Sequence, residues 1–174
     1  MPADPRFERL VMPHLNAAYT LARYLTRDVS EAEDATQEAI LRAVRYFHTL
    51  RNDDDARAWL LAIVRRECYG GRRQRIDTVA FDDVAELQLV DKGAPPDAAA
   101  DRSILQHRIR EAVSTLPDGL RETLILRELQ QCSYDEIARI TEVPLGTVMS
   151  RLSRARARMA EALGSLVTFE EGYG

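Results

Sequence analysis

The sequence predicts an all-α protein: two small helical domains joined by a flexible acidic linker, the C-terminal one containing a helix-turn-helix. Apolar residues recur three and four positions apart in both halves of the 174-residue chain, as they do in a helix with one buried face. No stretch shows the sustained apolar–polar alternation of a half-buried strand. A proline-containing acidic segment with weak periodicity separates the halves. We therefore assign domains to residues 1–77 and 102–165, a linker to 78–101 and a tail to 166–174.

The first domain opens with helix-start signals. Asp4 followed by Pro5 is typical of an N-cap and a first helical position. Pro13 interrupts the apolar face that follows, which predicts a kink or two consecutive helices. Ser30 and Glu33 have the spacing of a capping box, in which each side chain accepts a hydrogen bond from the other residue's amide. The expected buried faces are Phe7, Leu10, Val11, Leu15, Ala18, Leu21, Ala22 and Leu25, and then Ile40, Ala43, Val44 and Phe47.

The last helix of this domain is expected near Ala56 to Tyr69. Asn52 and the three aspartates after it indicate a loop and a helix start, because acidic groups are favourable at the positive end of a helix dipole. The pair Gly70-Gly71 is expected to end or loosen the helix. The residues expected to be buried are Trp59, Leu60, Ile63 and Val64.

The second domain is expected to contain the helix-turn-helix. A break at 117–119 separates two apolar-periodic stretches, and Ser133 and Glu136 have the spacing of a second capping box. A short helix over 134–141, a tight connection and a longer helix from about Thr147 follow. This is the arrangement that places a second helix in the DNA major groove. The apolar residues at helical spacing are Leu105, Ile109, Ala112, Val113, Leu116, Leu120, Leu124 and Leu129, and the short helix is expected to turn Ile137, Ala138 and Ile140 inward.

The longer helix has an apolar face and an arginine-rich face. Its apolar face comprises Val148, Leu152, Ala155 and Met159. The side chains expected to point toward base edges are Met149, Ser150, Ser153 and Arg154, and those better placed for phosphates are Arg151, Arg156 and Arg158. An arginine-rich helix can also be a merely solvated face. Acidic residues usually interleave on such a face, and none occurs between Arg151 and Arg158.

Charge is distributed unevenly along the chain. The net charge of -4 argues at first against a nucleic-acid-binding protein, which needs a positive surface. However, residues 81–101 carry six acids against Lys92 alone, while arginines cluster at 65–75 and 151–158. Two basic patches joined by an acidic segment favour DNA contacts near both ends of the chain.

Other classes of function find little support in the sequence. No apolar run reaches the roughly 18–20 residues of a membrane span, and the charged N-terminus lacks a signal-peptide core. We therefore expect a cytoplasmic protein without membrane insertion. Cys68 and Cys132 lie far apart, which favours two reduced thiols over a metal or redox site. The histidines have no partners at catalytic or metal-binding spacing, so we expect no enzyme activity, no metal and no cofactor.

Two sets of motifs resemble regions 2 and 4 of the extracytoplasmic-function (ECF) sigma factors of bacterial RNA polymerase. Residues 32–38, 41–43 and 57–60 are similar to region 2, and residues 133–138 and 146–152 are similar to region 4. The motifs follow in the family's order across most of the chain. The resemblance implies an alternative sigma factor that directs core RNA polymerase to specific promoters and helps to open them.

The resemblance also implies roles for particular residues. In the family, one helix of region 2 docks the polymerase clamp, the loop at 47–55 holds a base flipped from the -10 element, and the next helix contacts the opened strand. Region 4 reads the duplex -35 element, and an anti-sigma factor is a further partner that the resemblance leaves open. The corresponding residues are Asp34, Gln37, Glu38, Leu41 and Arg42 for core polymerase; Arg51, Asn52, Arg65, Arg66, Tyr69, Arg72 and Arg73 for the -10 element; and Thr147, Met149, Ser150, Arg151, Ser153, Arg154, Arg156 and Arg158 for the -35 element.

The sequence departs from the family pattern at three places. Glu142 stands where the turn often has glycine, Met149 where a basic residue is frequent, and Gly70-Gly71 where the family's helix is more continuous. Tyr69 could stack on an unpaired base or simply pack. Two rival functions fit the sequence less well: a helix-turn-helix repressor would leave residues 1–80 without a role, and a structural adaptor such as an anti-sigma protein would have little use for two arginine patches.

Overall fold

The computed structural model describes residues 4–75 and 96–164, with the backbone alone for 71–75 and 96–98. Within these residues the chain is helical and contains no strand, which confirms the predicted fold class. No helix of this part of the chain is both long and apolar enough to cross a membrane. Short 3-10 turns occupy Met12–His14, Phe47–Thr49 and Asp53–Asp55. The α-helices are α1 (Pro5–Val11), α2 (Leu15–Leu25), α3 (Val29–Tyr46), α4 (Ala56–Arg75), α5 (Pro96–Ser114), α6 (Asp118–Glu128), α7 (Tyr134–Thr141) and α8 (Leu145–Leu163).

Helices α1 to α4 form one unit, called here the N-terminal bundle, in which α2, α3 and α4 pack against one another. The face that α3 buries consists of small residues, since Ala32, Ala39 and Ala43 have no exposed surface. The structure corrects the predicted face of α3: Val44 is exposed and Ile40 is only partly buried. The alanines face inward because α2 and α4 supply the larger apolar side chains, and small residues let helices approach closely.

The beginning of the chain follows the prediction. Asp4 caps α1, because its carboxylate accepts a hydrogen bond from the backbone N–H of Arg6 at 2.8 Å. Pro5 occupies the first turn, where its missing N–H costs nothing. Pro13 lies in the 3-10 turn between α1 and α2, so the two helices are consecutive.

The start of α3 differs from the prediction. The helix begins at Val29 instead of after Ser30, and Asp28 is the cap. The Asp28 carboxylate accepts the backbone N–H of Glu31 at 2.8 Å, and the Glu31 carboxylate accepts that of Arg27 at 3.2 Å. A carboxylate two residues before the serine caps an earlier set of amides and also complements the helix dipole, which is why the aspartate prevails.

Helix α4 also differs from the prediction at its end. Asn52 accepts a hydrogen bond from the backbone N–H of Asp54 at 3.2 Å, and α4 begins after the aspartates, as expected. However, Gly70-Gly71 does not end the helix, which continues to Arg75. Glycine lowers helix stability by about 1 kcal/mol relative to alanine but keeps its backbone N–H, so neighbouring helix-forming residues carry the helix through.

Helices α5 to α8 form a second unit, the C-terminal bundle. Arg121 of α6 holds the end of α5 by donating hydrogen bonds to the backbone carbonyls of Ser114 at 2.8 Å and Leu116 at 2.7 Å. Carbonyls at a helix end have no partner within the helix, so this arginine acts as a cap. Helix α5 begins at Pro96, which lies inside the predicted linker, and residues 78–95 of that linker lie outside the described residues.

Helices α7 and α8 form the predicted helix-turn-helix. The Ser133 hydroxyl accepts the N–H of Glu136 at 3.2 Å, and the Glu136 carboxylate accepts the N–H of Ser133 at 2.7 Å, so this capping box is confirmed. Helix α8 begins at Leu145, slightly before the predicted start. Glu142 ends α7 in the left-handed conformation (φ 58°, ψ 39°), where glycine is the usual residue.

The two bundles pack against each other, α4 against α7 and α2 against α6. Arg57 of α4 donates hydrogen bonds to the backbone carbonyl and the side-chain oxygen of Gln130, which is buried. The Gln130 side chain donates in turn to the backbone carbonyl of Ala17 at 3.4 Å. At the edge of the contact Arg139 lies 3.0 Å from Asp55. Hydrogen bonds and an ion pair therefore connect the two bundles at these points.

Candidate nucleic-acid interface

Helix α8 presents one face of exposed polar, apolar and basic side chains. The residues predicted to be buried are buried: Val148, Leu152, Ala155 and Met159. The residues predicted to point toward base edges are all exposed: Met149, Ser150, Ser153 and Arg154. Met149 exposes 52% of its surface. The Nε of Arg154 makes only a long hydrogen bond, 3.4 Å, to the Ser150 carbonyl. Arg158 is exposed and Thr147 half-buried at the helix start. This face is therefore open to a partner.

The other two arginines of α8 are held by carboxylates of α6. Arg151 lies 3.4 Å from Glu122, and Arg156 donates to Glu128 from Nε at 3.0 Å and from Nη2 at 2.8 Å. Gly119 makes room for Arg151, since a Cβ at this position would lie 2.9 Å from the guanidinium carbon. The three arginines predicted to bind phosphates therefore differ in exposure. Arg158 is exposed, whereas Arg151 and Arg156 are half-buried and charge-compensated.

Helix α3 carries the residues that the resemblance assigns to core polymerase. All of them are exposed and lie on one side of the helix: Asp34, Gln37, Glu38, Leu41 and Arg42. Leu41, with 54% of its surface exposed, lies opposite the alanine face, since it is two positions from both Ala39 and Ala43, which is about 200° around a helix. Arg42 also pairs with Glu67 of α4 at 2.8 Å. Leu41 is the large apolar side chain of this charged surface, which the resemblance assigns to polymerase docking.

A pocket of about 320 Å³ opens between α3 and α4. Arg51 and Asn52, predicted to contact the -10 element, are exposed in the loop next to it. Trp59 and Ile63 were expected in the core, but they are half-buried because they line this pocket. The complete lining is Arg42, Tyr46, Thr49, Trp59, Ile63, Arg66 and Glu67. Aromatic rings beside guanidinium groups suit a planar, negatively charged ligand such as an unpaired nucleotide.

The basic face of α4 contacts the C-terminal bundle. Arg65 Nε lies 2.5 Å from the Glu122 carboxylate, and Arg66 pairs with Glu142. The Tyr69 hydroxyl donates a long hydrogen bond, 3.5 Å, to a backbone carbonyl of α6, and the Arg65 guanidinium lies 5.1 Å from the centre of its ring. The structure therefore brings the three predicted -10 residues of α4 together, and it brings them against acidic groups. The side chains of Arg72 and Arg73 lie outside the described residues.

Burial and charge shift two ionisable groups in this contact. Burial raises the pKa of Tyr69, and the carboxylates of Glu122 and Asp118 raise it further, so the phenol stays neutral. Burial alone would lower the pKa of Arg65, but the hydrogen bond and negative charge of Glu122 outweigh it, and the pKa is raised. Tyr69 and Arg65 therefore each keep a single protonation state near neutral pH.

The cysteines and acidic residues form no site of their own among the described residues. Cys68 and Cys132 are both buried and unpaired with each other. In the described part of the chain no group of three or more His, Cys, Asp or Glu side chains could hold a metal ion. Burial raises the pKa of the Cys132 thiol to about 11, so the reactive thiolate is rare at neutral pH.

Three functionally placed residues were missed by the sequence analysis. Glu122 and Glu128 hold the arginines of α8, and Arg57 joins the bundles through Gln130. A signal for Glu122 exists, since it lies three and four positions before Ile125 and Leu126 and so shares their face of the helix. The structure buries it to 2% exposure. A buried carboxylate requires a partner, but periodicity alone does not reveal which arginine supplies it.

Comparison with known protein families finds two matches along the chain. Residues 10–76 match the family described as sigma-70 region 2, and residues 106–159 match sigma-70, region 4. The first match covers α2, α3 and α4, and the second covers the helix-turn-helix.

The chain is also similar along nearly its whole length to characterised proteins. It is 31% identical to the RNA polymerase sigma-H factor of Pseudomonas aeruginosa, over 92% of this chain and 88% of the relative. It is 33% identical to the ECF RNA polymerase sigma factor SigM of Mycobacterium tuberculosis, over 93% and 79%. Among solved structures, the sigma factor RpoE of Bartonella quintana in complex with the anti-sigma factor NepR superposes with a TM-score of 0.76, at 27% identity, over 91% of this chain and 97% of that chain.

Proposed function

This chain belongs to the ECF sigma factors, with sigma-70 regions 2 and 4, and from that premise we propose which of its surfaces perform each step of promoter recognition. As a member of the family it is a non-catalytic subunit of RNA polymerase that initiates transcription at specific promoters. Its partners are core RNA polymerase and promoter DNA. The N-terminal bundle is region 2 and the C-terminal bundle is region 4.

The exposed face of α3 docks core polymerase. Leu41 supplies apolar contact at its centre, and Asp34, Gln37 and Glu38 supply charge and hydrogen-bonding groups around it. The proposal is supported by the position of this face opposite the buried alanines, because a partner can cover it without disturbing the bundle. Arg42 contributes through its exposed part while pairing with Glu67.

Helix α8 reads the duplex -35 element. Arg154 is the residue best suited to bidentate recognition of guanine, because it is exposed and has only a weak intrahelical hydrogen bond. Met149 offers apolar contact to a thymine methyl, and Ser150 and Ser153 are permissive. Arg151, Arg156 and Arg158 position the helix on phosphates, with Arg158 the least compensated.

The loop at 47–55 and helix α4 bind the opened -10 element. The pocket beside Trp59 and Tyr46 accommodates an unpaired base, and Arg65 and Arg66 neutralise the strand's phosphates. Arg51, Asn52, Arg72 and Arg73 are the further residues proposed to contact this element. Because these contacts favour a single strand, their binding energy promotes melting of the duplex.

Further parts of the proposal concern the linker, location and regulation. Residues 78–95 serve as an acidic tether between the regions, and the protein acts in the cytoplasm, where its polymerase works. An anti-sigma factor is a further partner. Support for it comes from the fold shared with the Bartonella quintana sigma factor, whose solved complex contains one.

One observation carries the assignment of surfaces: the exposed face of α8 that holds Arg154 and the exposed Leu41 face of α3 lie on different bundles of one chain. In-vitro transcription with core polymerase on a promoter library tests it. The chain is expected to redirect start sites to promoters with a shared pair of elements. Tight sequence-specific binding to promoter duplex by the chain alone, without any effect on core polymerase, would instead favour a repressor.

A further inference from the structure

The loop at 47–55, proposed to bind the flipped base of the -10 element, is tied to the first helix of the chain. The Arg6 side chain of α1 donates hydrogen bonds to one carboxylate oxygen of Asp53, from Nη2 at 2.6 Å and from Nε at 3.2 Å. The two residues are 47 positions apart. The stretch that matches sigma-70 region 2 begins at residue 10, so this contact comes from a helix that lies largely outside the match.

Arg6 also contacts the beginning of the same loop. Its guanidinium carbon lies 5.2 Å from the centre of the Phe47 ring, within the range of a cation–π interaction. Phe47 is buried and packs edge-on against Phe7 of α1 and, with 6.3 Å between ring centres, against Trp59. Because Trp59 lines the pocket between α3 and α4, Arg6 contacts a set of packed aromatic rings that reaches the wall of the pocket.

The loop residues proposed to contact the -10 element lie between two fixed points. Leu50 is buried, with 5% of its surface exposed, and Asp53 is bound to Arg6. Between them, Arg51 and Asn52 are both exposed. The backbone of this short stretch is therefore restrained on each side, which orients the two exposed side chains before DNA arrives.

This restraint has more effect on the choice of a base than on folding. The side chains of Arg6 and Asp53 are 41% and 47% exposed, and an exposed ion pair contributes little to overall stability. Recognition is more sensitive, because a binding group must be held within about 0.5 Å of its productive position. The affinity of a loop falls with the fraction of time that it spends in its competent conformation, and a looser site rejects wrong bases less well.

We propose that Arg6 is a positioning residue for -10 recognition: through Asp53 and Phe47 it holds the loop at 47–55 in the conformation that selects the flipped base. Arg6 acts through the loop and does not itself contact the base. The inference rests on the proposed assignment of this loop to the -10 element. An exposed pair biases a conformation by a factor of up to about five, so its loss should reduce base discrimination about two- to fivefold.

The test uses holoenzyme assembled from core polymerase and the full-length chain. A promoter selected by in-vitro transcription is prepared with each of the four bases at each position of its -10 element, both as duplex and with that element already unpaired. Discrimination is the ratio of open complexes formed with the preferred base to those formed with the others. Arg6→Gln should lower this ratio about two- to fivefold on both templates and leave base preference in the -35 element unchanged.

Arg9→Gln is the matched control. Arg9 lies on the same helix and is exposed, and its substitution removes the same charge. This variant should discriminate between bases as the wild type does. A variant that merely destabilises the protein lowers the active fraction on every promoter alike, so the ratio does not change. Equal losses of discrimination in Arg6→Gln and Arg9→Gln would overturn the positioning role of Arg6.

A double-mutant cycle tests whether Arg6 acts through Asp53. Asp53→Asn removes the charge of the carboxylate but keeps the size of the side chain, and any general effect on the attraction of DNA cancels in the ratio. If the two residues act as a unit, adding Asp53→Asn to Arg6→Gln should cause no further loss of discrimination. Losses that multiply in the double variant would overturn the coupling.

Two further variants separate this inference from the proposed function. Arg51→Ala and Asn52→Ala change side chains that are proposed to contact the -10 element directly. If they reduce discrimination and Arg6→Gln does not, the loop binds the element and the positioning role of Arg6 is wrong. If none of these variants changes discrimination at any -10 position, the proposed assignment of the loop fails, and this inference fails with it.

Discussion

The Nε atom of Arg65 lies 2.5 Å from a carboxylate oxygen of Glu122, although the two residues are 57 positions apart and belong to different bundles. The carboxylate is almost fully buried, and Arg151 approaches its other oxygen. A buried ion pair gains little net stability after desolvation, but a buried charge without a partner is costly. Glu122 therefore contributes more to the specific geometry of the contact between the bundles than to the stability of either bundle.

The exposed leucine of α3 gives a direct test of polymerase docking. Leu41→Asp should weaken binding to core polymerase at least tenfold, about 1.4 kcal/mol, because a charge is placed in an apolar contact. The free energy of unfolding should change by less than about 0.5 kcal/mol, since the side chain is exposed. Binding is measured by competition with a reference sigma factor.

Val29→Asp is the matched control for that prediction. Val29 is also exposed on α3 but lies in its first turn, where an added carboxylate is favourable. Equal loss of binding in the two variants would contradict a docking surface centred on Leu41.

The arginines of α8 should divide into base-reading and positioning residues. Arg154→Ala is expected to relax base preference in the -35 element, with a loss of about 1–3 kcal/mol of discrimination at one position. Arg156→Ala should weaken binding more evenly across sequences, because this arginine, held by Glu128, can meet only the backbone. The measurement is holoenzyme binding to single-base variants of one promoter. The same loss on every sequence for both substitutions would refute this division.

Replacing Glu142, the left-handed residue of the turn, by glycine should leave the protein more stable than replacing it by alanine. Both Glu142→Gly and Glu142→Ala remove the exposed ion pair with Arg66, which is worth about 0–1 kcal/mol. Only glycine relieves the cost of a side chain at φ 58°, so the glycine variant should be the more stable by about 1 kcal/mol. Urea unfolding of the two variants measures the difference, and equal stabilities would mean that the turn carries no such strain.

The stability of the protein should fall at alkaline pH through Cys132. Burial raises its pKa to about 11 from the usual value of 9, so the native state favours the neutral thiol. This contribution is complete below about pH 9 and is lost as the pH rises through 11, for a total of about 2–3 kcal/mol. The free energy of unfolding of wild type minus that of Cys132→Ala should therefore decrease between pH 8 and 11. Parallel pH profiles would show that the thiol is not buried in this way.

Most of the fold could be read from local patterns. The caps at Asp4 and Ser133 and the interruption at Pro13 depend on neighbours within four residues, and the structure confirms them. The buried face of α8 follows from helical spacing and is also confirmed. Local patterns predicted the wrong boundary at the start of α3, where Asp28 is the cap, and at Gly70-Gly71, where the helix continues. The family assignment is confirmed, and the roles of individual site residues stay predictions.

The sequence by itself determined the helices, the helix-turn-helix, the family and the location of the arginines. Only the tertiary structure decided which arginines are free. Arg154 and Arg158 remain exposed, whereas Arg65, Arg151 and Arg156 meet carboxylates that lie 28 to 57 residues away in the chain. Helical periodicity orients a side chain relative to its own helix, but it says nothing about which other helix comes to lie against it. The pairing of charges depends on that packing, because an ion pair forms only where two side chains are brought within hydrogen-bonding distance.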